Sequence, residues 1–181
     1  DFVIGTDARD ELVDPRQPRE QLLVVEEGGE MNLALYIDPE VIERLDARDH
    51  DLQDKLFAVE GVSHFIYTVG CARHDRPVTQ LELELQAEVD KYVTCLLQTR
   101  THVETSEALR QRLFGDCAYE DDLDHQERER YQVANDNANR YAAYLEDTFV
   151  ARRRIPEMLG EVRRFYRQGL AGKLASCARA A

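Results

Sequence analysis

Apolar positions between Pro77 and Leu97 recur at about 100° per residue, the spacing of one helical face. Leu81, Leu85, Val89, Tyr92, Val93, Leu96 and Leu97 gather on one broad side. Thr79 stands where an N-cap belongs and Glu82 follows three residues later, which predicts a capping box. Pro77 stops any earlier helix from running through. Two carboxylates interrupt the apolar arc: Glu88, between Leu81 and Tyr92 with Cys95 alongside, and Glu82, between Val89 and Val93. Glu84 and Asp90 fall towards the polar side. A carboxylate in a dry core must find a cation, a donor, water or a proton. Glu88 is therefore expected to be largely buried, with His64, Tyr131 or Asn135 within reach.

Upstream, Gln21–Val25 and Met31–Ile37 are runs of β-formers, and Glu26–Glu30, with Gly28-Gly29 at its centre, suits a hairpin turn. Asp38-Pro39-Glu40 starts a helix with a cap and a proline at the first helical position. Val41, Ile42 and Leu45 give it a short stripe, and Asp46–Asp51 breaks it. From Leu52 to Ala72 the pattern is apolar nearly all round, which predicts a buried central helix, with Gly61 and Gly70 allowing close neighbours or a kink. Downstream, Thr99–Val103 reads as a connector and Thr105 or Ser106 caps a short helix ending at Gly115. Asp116–Asp124 reads as an acidic loop, and His125–Val150 as one long helix with Tyr131, Ala134, Ala138, Tyr141, Ala142, Leu145 and Phe149 inward. A last helix is predicted from Pro156 to Cys177, with Met158, Leu159, Val162, Phe165, Tyr166, Leu170 and Leu174 as its stripe.

Composition narrows the class. With 43% hydrophobic and 33% charged residues over 181 positions, the chain reads as one soluble globular domain rather than a disordered one. No apolar run approaches a membrane span and no signal-peptide pattern opens the sequence, although residue 1 is Asp and the native start is left open. Cys71, Cys95, Cys117 and Cys177 form no C-x-x-C pair, so zinc knuckles and dithiol redox motifs are not supported. A reducing cytoplasm is the default setting. The net charge of −13 is uneven: Ala151–Ala181 carries +6 and the remainder −19. That argues against the acidic body as a nucleic-acid binder and leaves the basic end as a separate matter.

His64, Glu82, Glu88, Tyr131 and Asn135 are all predicted to point inward on three packed helices. Such a carboxylate and imidazole cluster can hold a metal or move a proton. It can equally be a hydrogen-bonded polar core that fixes helix register. Facing Glu-x-x-His pairs, the signature of carboxylate-bridged metal bundles, are absent, and Asp122-x-x-His125 reads as a helix cap. His74-Asp75 resembles the paired residues of the all-helical histidine–aspartate metal phosphohydrolases. Partners for it would be His50 or His64 and Asp121 or Asp122, but the dipeptide is better placed as a C-terminal helical turn. Phosphate-cradling loops and the G-x-S-x-G nucleophile elbow are absent. Arg152–Arg154, Arg163, Arg164 and Arg167 could meet an anion or nucleic acid, yet a solvated face or internal salt bridging to Glu120–Asp124 accounts for them.

These observations point to a mainly α protein, a small N-terminal β-hairpin packed on a bundle of about five helices. One domain spans residues 1–181, with 1–20 irregular, 21–37 the hairpin and 39–178 helical. The function expected is a non-enzymatic regulatory or protein-binding module, cytoplasmic, with a protein partner or a second copy of itself and no membrane. One alternative is a metal- or carboxylate-dependent hydrolase, with Glu88 and His64 catalytic and Glu82, Tyr131 and Asn135 binding. The other is nucleic-acid association through Arg164 and Arg167. Neither a cofactor nor a particular metal follows from the residues.

Overall fold

The computed structural model describes residues 19–28, 30–47, 51–98, 103–115 and 124–179. Of the segment 1–20, the connector 99–103 and the acidic loop 116–124, residues 1–18, 99–102 and 116–123 lie outside the described residues, as do His50, Cys117, Asp121 and Asp122. Glu20 already belongs to a strand rather than to an irregular segment. The chain is mainly α-helical, with seven helices and one two-stranded antiparallel hairpin among the described residues. It divides into two compact units, Asp1–Asp75 and Arg76–Ala181.

In the first unit β1 (Glu20–Glu27) pairs antiparallel with β2 (Glu30–Ile37) in an unbroken register from Glu20↔Ile37 to Glu27↔Glu30. Gly28 turns the chain with φ 62°, a left-handed conformation that suits glycine. Helix α1 (Pro39–Asp46) starts as expected, the Asp38 carboxylate accepting from the Glu40 amide at 2.9 Å. Asp51 caps α2 (Leu52–Ala72) through the Asp54 amide. The two helices are clamped by Arg44, which donates to both Asp54 oxygens at 2.7 and 2.6 Å. That fork holds the Asp54 carboxyl below its usual range.

Gly61 is where the hairpin meets α2. A Cβ there would sit 2.9 Å from Glu20 Oε2 and from Leu35 Cδ1, so a larger residue would push both side-chain ends aside. The expectation that α2 is buried all round needs correcting. Its buried side is the small and polar one, Gly61, Ser63, His64, Tyr67, Thr68 and Cys71. Val62 and Ile66 are 43% and 53% exposed, with Val59 and Val69 half-buried beside them. A strand pair fits closely only against a helix face with little bulk, so the hairpin takes the glycine side.

The second unit is helical among its described residues: α3 (Gln80–Gln98), α4 (Val103–Phe114), α5 (His125–Leu145), α6 (Ile155–Tyr166) and α7 (Leu170–Arg179). Helices α3 and α5 pack along each other, the alanines Ala134, Ala138 and Ala142 being buried and small enough for close approach. Asp124 and Glu127 form a full capping box at the start of α5. Five sequence expectations are revised. Helix α4 begins at Val103, so Ser106 lies inside it as a buried residue rather than as its cap. The expected long helix ends at Leu145 and continues as a π-helical turn, Glu146–Val150. The expected last helix is two, broken at Arg167–Gly169, because the turn lets Lys173, Ser176 and Cys177 face inward. At the end of α3, Leu97 is exposed where the helix runs past the core, while Glu84, expected on the polar side, is buried.

Candidate functional site

In the second unit two networks of buried polar groups recruit residues from distant parts of the sequence. The first centres on Lys173, which is fully buried. Its ammonium donates to Gln86 Oε1 and to the Phe165 carbonyl at 3.0 Å, and lies 4.3 Å from the centre of the Phe165 ring. Gln86, also fully buried, passes its own amide hydrogen to Asp90 at 2.9 Å. A chain of oriented dipoles thus links an acid to a cation across α3 and α7, which is how an interior without water accommodates a charge. Cys177 stands one turn beyond Lys173, and burial pushes its thiol up to about 11.

The second network joins α3, α4 and the π-helical turn. Glu146 accepts from the Tyr92 hydroxyl at 3.1 Å and from Arg110 Nε at 2.7 Å. Arg110 also donates to Asn139 at 2.8 Å. Burial, with Glu146 beside it, raises the Tyr92 pKa well above the ordinary phenol. The π turn keeps Glu146 in reach of both donors, and an inserted turn of this kind often marks a functional or strained position.

Among the residues singled out from sequence, Thr79 does cap α3, accepting from the Glu82 amide at 3.2 Å. The Glu82 carboxylate is buried and paired with Arg76. Glu88 is half-buried and ion-paired to Lys91 at 2.8 Å, one turn along the same helix. Asn135 is buried on α5, and Tyr131 is half-buried with Arg130 over its ring. Arg164 is exposed and engaged by Glu161, as Arg154 is by Glu157. Arg167 is exposed where α6 ends. These internal pairings reduce what the basic end can offer a phosphate backbone.

Comparison with protein-family models, curated proteins and solved structures gives no match. The functional reading therefore rests on the residues alone.

In the first unit, His64 is buried with its Nδ1 3.8 Å from Glu20 Oε1. A carboxylate oxygen of Glu60, one turn before it, lies within 4.8 Å of an imidazole nitrogen. His74 and Asp75 form the expected helical turn: His74 Nδ1 bonds the Gly70 carbonyl at 2.8 Å, and Asp75 adopts φ 49°.

Sequence reasoning missed Gln86, Lys173, Glu146 and Arg110. Gln86 carried a signal, since it shares the Glu82, Val89 and Val93 face. Lys173 carried one too, as the single cation within the stripe Leu170, Leu174 and Cys177. Glu146 gave none, because the π turn that begins there has no sequence marker, and Arg110 gave none, because it is one of two arginines on the short helix α4.

Tyr141 supplies a test of how complete the buried bonding is. Its ring stacks on Phe165 with centroids 4.2 Å apart, and its hydroxyl is buried with no hydrogen-bond partner among the described residues. Tyr141→Phe should raise the urea midpoint, by about 1 kcal/mol in unfolding free energy, because a desolvated hydroxyl disappears. A lower midpoint would mean that the hydroxyl is bonded.

Proposed function

We propose that this chain is a non-enzymatic protein-binding module whose docking surface lies in the first unit. One observation carries the reading. Of the six large apolar side chains exposed among the described residues, five belong to residues 24–66: Val24, Val25, Ile42, Val62 and Ile66. On α2 the positions Val59, Val62, Ile66 and Val69 follow the 3-4-3 spacing by which a helix presents one seam to a partner. A reducing cytoplasmic setting agrees with Cys71, Cys95 and Cys177, which are buried and form no disulfide.

The test is native co-purification with wild type and with a Val62→Glu, Ile66→Glu double variant. The result expected is a partner identified by mass spectrometry with wild type and depleted at least tenfold with the variant, both proteins melting alike. Equal recovery would overturn the reading. A second reading, a metal- or carboxylate-dependent hydrolase, draws on one observation, the buried His64 beside Glu20 and Glu60. It requires stoichiometric metal by elemental analysis, lost in His64→Ala.

A further inference from the structure

We infer that the outer face of α6 and the turn before it receive a short acidic segment of another protein, read by Arg152, Arg153, Arg163 and Arg167. The inference goes beyond the α2 reading, lies in the other unit and does not depend on it.

Residues Ala151–Ala181 hold eight basic and two acidic side chains. Both carboxylates are taken, Glu157 by Arg154 and Glu161 by Arg164. Lys173 is fully buried, and Arg179 donates to Ser176 at 3.0 Å. That leaves Arg152, Arg153, Arg163 and Arg167, which are exposed and, among the described residues, have no ion-pair partner. Pro156, Gly160, Arg163 and Arg167 follow at intervals of four, three and four, so they form one row along α6. The buried Met158 and Phe165 lie on the opposite side of the helix. A Cβ added at Gly160 would meet nothing within 4 Å, so the row borders open space. Arg152 and Arg153 stand in the turn just before the helix. Backbone bonds from Arg153 to Val150 at 2.9 Å and from Arg154 to Phe149 at 2.8 Å fix that turn, and Arg153 holds φ 56° in it. Glycine adopts this conformation without strain and arginine does not; strain of this kind gathers at binding sites.

The surroundings decide which anion fits. A guanidinium meets a carboxylate or a phosphate with two parallel N–H bonds. Among the described residues of the second unit no aromatic ring is exposed, so a nucleic-acid base has no platform to stack on. The one large apolar side chain exposed there is Leu97, on α3, so α6 has no anchor for a bilayer. The chain as a whole carries −13, which repels any long polyanion. A short segment escapes that repulsion, because charges farther away than about 10 Å are largely screened at 0.1 M salt. A few consecutive aspartates or glutamates of a partner meet all of these conditions, and their attraction to the arginines weakens with salt.

The experiment measures binding of the full chain, at about 0.15 M salt, to four probes. They are a peptide alternating glutamate with serine, a lysine–serine peptide of equal length, duplex DNA, and phosphatidylcholine vesicles containing phosphatidylserine. The glutamate peptide should bind, and each of the others at least tenfold more weakly. Arg163→Glu with Arg167→Glu should weaken the glutamate peptide at least tenfold. Arg153→Gly removes one guanidinium and relaxes the turn. It should weaken binding by about threefold, the worth of one exposed ion pair, while the urea midpoint stays at or above that of wild type. That variant keeps the test valid if the double variant melts early. No binding of the glutamate peptide, or unchanged affinity in the variants, would overturn the proposal. Tighter binding of DNA or of the vesicles would assign the face to phosphates instead. Binding that emerges only in an Asp116→Asn, Glu120→Gln, Asp121→Asn, Asp122→Asn variant would assign it to the chain's own acidic stretch.

Discussion

Gln86→Leu lowers the unfolding free energy by about 2–3 kcal/mol, because it removes an acceptor from a buried ammonium. Gln86 Oε1 accepts from Lys173 Nζ, as the Phe165 carbonyl does, and both side chains are fully buried. Leucine keeps the bulk and supplies no lone pair. Lys173→Met should cost less, since methionine fills the volume and leaves a neutral amide rather than a charge without its acceptor. The double variant should be more stable than the sum of the two losses implies, by at least about 1 kcal/mol. Urea denaturation of the four proteins closes the cycle. Strict additivity would mean that the two groups do not act on each other, and the polar link between α3 and α7 would be geometry without energy.

Raising the pH should weaken the second unit while its arginines are still charged. The Cys177 thiol keeps its proton to about 11 in the fold, whereas an ordinary cysteine releases it near 9. The folded state thus binds more protons than the unfolded one across that interval. Its stability is fully present below pH 9 and falls as pH climbs to 11, by about 2–3 kcal/mol from this group alone. Tyr92 and Tyr141 are also shifted upward, chiefly by burial, so they add to the loss once free phenols ionise near pH 10. The urea midpoint at pH 10.5 should fall well below that at pH 8, and Cys177→Ala should flatten the slope. A midpoint that ignores pH would show that these groups are wetter than their burial implies.

The hairpin and most helices were legible in the sequence, and the reasons are local. Asp38 and Thr79 each cap a helix with their own side chains, and Gly28 sets its turn without help from elsewhere. What was not legible depends on tertiary choice. The pattern of α2 offered two apolar sides, and nothing in it says that the hairpin takes the glycine side and leaves Val62 and Ile66 outside. Helical phase failed at two points. The π turn after Leu145 advances the register without a sequence marker. The break at Arg167–Gly169 was hidden because Leu170 and Leu174 continue the earlier stripe. Glu88 attracted attention as a carboxylate in an apolar arc, but Lys91, one turn away, was the cation to consider first. The polar centre of the second unit was instead at Gln86, whose uncharged side chain gave no electrostatic warning.

The bond from Lys173 to Gln86 spans 87 positions. During synthesis the chain grows from its N-terminus, so α3 is complete long before Lys173 has been added. Until α7 arrives, the Gln86 carbonyl must stay solvated, and the unit cannot close around it. The final packing of α3 is thus tied to the synthesis of α7, and a nascent chain stalled before residue 173 would present an unsealed helix to chaperones and proteases.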